Sequence, residues 1–221
     1  MKYPNAYSGV KTLFKAVVLN IAASMLFLLS SVFIAAAGDD LLEWQTVLDE
    51  YNTAAFVGII ITTLGALILS LISFILQILG LTRGMKDEPL FKTALIYVFI
   101  SFASTIASSL TAGISNSQIT DSFKILAEVS TLLISLYIIF AIRSLAQKLD
   151  NGDIDFKGKA LIWVLLSVFL MTVASRILGI SSSEFSSILS VLAAVFDIIS
   201  FILFSIYLFK AKKMLSESSD S

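Results

Sequence analysis

Six long apolar stretches alternate with short polar ones along the chain, over residues 14–37, 55–79, 90–112, 122–146, 160–180 and 185–209. A helix needs about 20 apolar residues to cross the roughly 30 Å hydrocarbon layer of a bilayer. Inside that layer a backbone must satisfy its own hydrogen bonds, which leaves helices as the only open-ended solution. Each stretch therefore predicts a transmembrane helix. The joints carry helix-ending residues: Gly38 with Asp39 and Asp40, Gly80 and Gly84 before Pro89, Gly113 with Asn116, Asn151 with Gly152, and Gly179 before three serines. The expected fold class is all-α, a polytopic transmembrane bundle of six helices. It forms a single integral membrane domain over 1–221, with 210–221 as a short cytoplasmic tail.

Composition agrees with this pattern. Apolar residues make up 57% of the chain and charged residues 14%, with a mean hydropathy of +0.95. That leaves too little charge to cover a soluble surface, so lipid is the expected partner of the remaining apolar area. The net charge of -1 argues against nucleic acid, which requires a concentrated basic face. The chain has neither Cys nor His. This removes thiolate nucleophiles, the usual base of hydrolytic triads and the commonest zinc ligands, and no metal or cofactor is expected.

The basic residues orient the chain. Lys2, Lys11, Lys15, Arg83, Lys86, Lys92, Arg143, Lys148, Lys157, Lys159, Lys210, Lys212 and Lys213 fall on one side of a six-span arrangement, and only Lys124 and Arg176 do not. Cytoplasmic loops carry the excess of Lys and Arg, so both termini are expected in the cytoplasm. Compact loops suit a bacterial cytoplasmic membrane. Ala35-Ala36-Ala37 resembles a signal-peptidase site, but the apolar run before it exceeds the 7 to 15 residues usual in a signal peptide.

Short motifs recur at a period of about 65 residues. Phe-Lys pairs open the odd-numbered spans at Phe14-Lys15, Phe91-Lys92 and Phe156-Lys157. A serine interrupts the apolar run of each returning span at Ser73, Ser135 and Ser200. The pattern suggests three repeated two-helix hairpins.

Several polar positions stand inside the apolar runs. Ser101, Ser104, Thr105, Ser108, Ala112 and Ser115 form one stripe in the third span, and Gly58, Thr62, Gly65, Ala66, Ser73 and Gln77 form another in the second. Small residues let helices approach closely, and hydroxyls bond across the contact, so tight packing is the plain reading and a polar path the functional one. Asp197 lies about twelve residues from either end of the sixth span. A carboxylate there costs about 2.5 to 3.5 kcal/mol on insertion scales. Ser190, Ala193, Ala194 and Ser200 share its face, which points it away from lipid, and Asn20 is a candidate partner on the first span. Arg176 and Glu128 lie at similar depth near the outer side and are expected to pair, with Lys124 as a local alternative for Glu128. The loop from Asp39 to Tyr51 reads as a short interfacial helix with Trp44 and Tyr51 at headgroup level. The segment Asp150-Asn151-Gly152-Asp153 reads as a polar turn capping the fifth span.

These features suggest a small carrier or the membrane subunit of a transporter, taking a small-molecule substrate at Asp197. The alternative is a non-transporting scaffold or accessory subunit that binds other membrane proteins. No pair of carboxylates is spaced for shared acid–base work, so an enzyme is not expected.

Overall fold

The computed structural model describes residues 2–37, 50–112, 117–179 and 183–218. Among them the chain is entirely helical: α1 Pro4–Ala37, α2 Glu50–Gly84, α3 Leu90–Thr111, α4 Ser117–Lys148, α5 Gly152–Gly179 and α6 Ser183–Glu217. The first five contain stretches long and apolar enough to cross a membrane. The sixth is 35 residues long, or about 52 Å at 1.5 Å per residue. Contacts divide the chain into two compact units, one of residues 12–77 and the other of residues 1–11 with 78–221.

Most helices outrun the apolar stretches that predict them. α1 begins at Pro4 instead of residue 14, α5 at Gly152 instead of 160, and α6 continues to Glu217. The segment expected as a short tail from residue 210 is therefore helical through residue 217. Hydropathy marks where a helix meets lipid, whereas the helix itself persists as long as its backbone and one packed face hold it. In α1 the extension buries Ala6 and Val10 and exposes Lys11, one turn apart on a single stripe.

In the unit of residues 12–77, α1 and α2 pack through small residues. Gly58 stands against the Phe33 ring, and a β-carbon there would lie 3.2 Å from it; Gly65 stands equally close to Leu26. Ser73 donates to the Ala16 carbonyl at 2.8 Å, and Ser30 and Thr63 share a hydrogen bond of 2.8 Å. Thr62 instead bonds the Gly58 carbonyl of its own helix at 2.7 Å. The stripe on the second span is thus largely a helix-packing surface.

In the other unit α4 packs against α3 and α5, and α5 against α6. Ser101 bonds Thr131 at 3.2 Å, and Thr120 donates to Thr111 at 3.1 Å. Ser104, Ser108 and Ser130 are buried, and Tyr97 stacks on Tyr137 with centroids 5.5 Å apart. Burial is deepest toward the basic helix ends, at Leu81, Phe91, Ile139, Ile142, Leu145, Leu208 and Leu215. Farther along, Phe99, Phe102, Ile106 and Leu110 of α3 are exposed, as side chains facing lipid would be.

Gly84 ends α2 and Pro89 precedes α3, as the sequence suggests, but two glycines also take a part it does not. Gly80 is interior to α2 and Gly84 is its last residue. With Gly9 of α1 they form a backbone-to-backbone crossing: a β-carbon on Gly9 would lie 2.7 Å from the Gly80 carbonyl oxygen and 2.8 Å from the Gly84 nitrogen. At the α4–α5 joint, Asp150 rather than Gly152 takes the left-handed conformation, with φ 54°. The Asn151 N–H bonds the Ala146 carbonyl at 2.8 Å, and the Asp150 N–H bonds that of Gln147 at 3.2 Å. This is the paired closure of a Schellman end. The Asn151 side chain then accepts from the Ile154 N–H at 3.1 Å, capping α5. One residue closes one helix and opens the next. Asn151→Ala should lower stability by about 1 kcal/mol, measured as a thermal unfolding shift in detergent micelles.

The recurring motifs occupy unlike surroundings. Phe91 is fully buried while Phe156 is largely exposed. Ser73 bonds a neighbouring helix, whereas Ser135 bonds back to Thr131 of its own.

Candidate functional site

The densest polar constellation lies at the basic end of α4. Helical spacing places Phe140, Arg143, Ser144, Gln147 and Lys148 along adjoining rows of its last turns. Two acidic partners meet these rows from either side. Glu88, in the link between α2 and α3, is buried, and its Oε2 accepts from Ser144 Oγ at 2.9 Å and Lys148 Nζ at 2.6 Å. Asp155, in the first turn of α5, accepts from Arg143 Nε at 2.8 Å, Gln147 Nε2 at 3.1 Å and Lys159 Nζ at 2.9 Å. The Arg143 and Asp155 side chains are both largely covered. Charged groups removed from water are costly unless paired and hydrogen-bonded, and both carboxylates meet that condition.

A second carboxylate in the α2–α3 link reaches the other way. Asp87 Oδ2 accepts from the Ala6 N–H at 2.7 Å and Oδ1 from Asn5 Nδ2 at 2.9 Å. Ala6 belongs to the first turn of α1, whose free N–H groups carry partial positive charge. Asp87 caps α1 from 81 residues away. Together, Asp87 and Glu88 tie the start of α1 and the end of α4 to one short link.

Beside this brace, Leu90, Phe140, Arg143, Ser144 and Gln147 line an open pocket of about 320 Å³. On the α5–α6 side, Gly158 admits two side chains: a β-carbon there would lie 2.5 Å from Arg143 Cγ and 2.7 Å from the Tyr207 hydroxyl. That buried hydroxyl has no hydrogen-bond partner among the described residues. Lys157 pairs with Asp153 one turn earlier. The Lys157 ammonium holds Lys210 below the usual lysine range, with Asp153 opposing the shift. The carboxylates of the brace are thus occupied in holding cations and helix ends, an arrangement suited to fixing geometry. Among the described residues no three acidic side chains gather as metal ligands.

The positions singled out from sequence fare unevenly. Asp197 falls within α6 and Arg176 within α5, but both side chains lie outside the described residues, as do those of Ser190, Ala193 and Ala194. Asn20 is exposed on α1. Glu128 is half-buried, and Lys124 pairs with Asp121 at 3.4 Å on the exposed side of α4. Trp44 and the rest of the expected interfacial helix lie outside the described residues; Tyr51 is in the first turn of α2, with its side chain likewise outside them.

Reading Lys and Arg as orientation markers overlooked the brace. The available signal was the set of acidic residues on the same side, Asp87, Glu88, Asp153 and Asp155, which the orientation rule ignores.

Comparison of the chain with protein-family models, with curated proteins and with solved structures finds no match.

Proposed function

We propose that this membrane protein crosses the bilayer six times with both termini in the cytoplasm, and serves as a non-catalytic scaffold or accessory subunit for other membrane proteins. The observation that carries this reading is how the intramembrane hydroxyls are used. Ser101 with Thr131, Thr111 with Thr120, Ser30 with Thr63 and Ser73 with the Ala16 carbonyl all bond across helix contacts. Side chains of the kind that would line a polar path therefore hold helices together. The braced basic ends supply a fixed cytoplasmic face, as a docking subunit requires. The proposed location is the cytoplasmic membrane of a bacterium.

One feature favours a second reading, a small carrier. Asp197 lies midway along α6, at a depth where ionisable groups usually mark substrate or proton paths. Mass spectrometry of protein gently extracted from its native membrane separates the two. The scaffold reading expects a stoichiometric protein partner that survives Asp197→Asn. A stoichiometric small molecule that is lost in Asp197→Asn would replace it with the carrier reading.

A further inference from the structure

We propose that the basic ends of α5 and α6 form a binding site for the headgroup of an anionic phospholipid, with Lys157 and Lys210 as its cationic contacts. The site rests on the reading that these helices cross a membrane. Its geometry follows from the register of the two helices. Gly158 of α5 is in contact range of Tyr207 of α6, and buried Ile154 and Ala211 lie one turn farther along the same antiparallel pair. This register sets Lys157 and Lys210 on the same flank of the helix pair. Asp153 pairs with Lys157 from within α5, so one carboxylate faces two ammonium groups, and the positive charge left over draws a further anion.

The surroundings identify the anion's source. Phe156 and Trp163, two turns apart on one face of α5, are 70% and 71% exposed. Leu170 continues the row at 65%. On α6, Phe209 is exposed next to Lys210 and carries the Lys212 ammonium 4.8 Å from its ring centroid. The two lysines therefore stand where exposed apolar rows end, with aromatic rings around them. A soluble phosphate would gain nothing from those rings. A phospholipid gains from both, with its acyl chains along the apolar rows and its phosphate between the ammonium groups.

Brominated-lipid quenching of Trp163 tests the site directly. The chain has two tryptophans, so a Trp44→Phe background leaves Trp163 as the only emitter. The full chain is reconstituted into phosphatidylcholine vesicles containing a fixed fraction of brominated phosphatidylglycerol or brominated phosphatidylcholine. The expected result is preferential quenching by the anionic lipid, corresponding to a local preference of about fivefold or more. That preference should fall to near unity in Lys157→Gln/Lys210→Gln and persist in Lys210→Arg. Unchanged quenching by brominated phosphatidylcholine in the double variant shows that it still inserts. A ratio near unity in the parent overturns the proposal; a preference undiminished in the double variant also overturns it. Absence of quenching by either lipid would remove the membrane reading itself.

Discussion

Gly9→Ala is expected to destabilise the protein by about 1 to 3 kcal/mol, the range for forcing a methyl group into a filled contact. The added β-carbon would lie 2.7 Å from the Gly80 oxygen and 2.8 Å from the Gly84 nitrogen. Both neighbours are backbone atoms of α2, so no rotamer change can make room, and the helices must separate. Separation would also disturb nearby bonds: Asp87 to Asn5 and to the Ala6 N–H, and Arg83 to Ser8 at 3.4 Å. Gly9→Leu should cost more than Gly9→Ala. Gly152→Ala is the control, because among the described residues nothing lies within 4 Å of its added β-carbon. At the first position of α5 the same change should be neutral or stabilise by up to about 1 kcal/mol. Unfolding titrations in mixed micelles with increasing SDS read both effects on one scale. Equal behaviour of Gly9→Ala and Gly152→Ala would show that the close crossing is absent in solution.

That crossing also shows where the sequence was legible and where it was not. The apolar runs located all six helices, because a run of that length and composition is visible residue by residue; among the described residues five are long and apolar enough to cross a membrane. The runs misplaced the ends of α1, α5 and α6, because hydropathy stops reporting where a helix continues past its apolar run. The stripe of Ala6 and Val10 with exposed Lys11 was readable as an amphipathic turn, but Pro4 and the polar residues around it masked its start. Gly84 does end α2 while Gly80 lies inside it, and their spacing of four is also that of a close helix contact. Choosing between those meanings required the position of Gly9, some seventy residues away. At the α4–α5 joint the expected turn is present, but Asp150 adopts the left-handed conformation and Gly152 is left free to start a helix. The hydroxyl stripes of α2 and α3 were assigned to packing on general grounds, and their bonds are now specific: Ser73 to Ala16, and Ser101 to Thr131. The brace was not legible, because nothing local pairs Glu88 with Lys148 across 60 residues.

The brace makes its own strong prediction, Lys148→Met, which should destabilise the protein by about 2 kcal/mol. The loss arises at Glu88, whose side chain is only 5% exposed. Removing the ammonium at 2.6 Å withdraws its cationic partner and leaves the Ser144 hydroxyl at 2.9 Å. Breaking a buried pair from one side costs about 3 to 5 kcal/mol. The lower figure applies because Lys148 is 45% exposed, so water can take over part of its role. Converting the carboxylate to a neutral amide removes the stranded charge, so Lys148→Met/Glu88→Gln should recover most of the stability lost by Lys148→Met alone. A comparison pair lies nearby: Lys213 and Glu217 are 3.6 Å apart and both well exposed. Lys213→Met should change stability by less than about 0.5 kcal/mol. The same micelle titrations measure all three variants. If Lys148→Met were no more costly than Lys213→Met, or if Glu88→Gln failed to rescue it, the brace would be a surface contact, and the fixed cytoplasmic face on which the scaffold reading draws would lose its support.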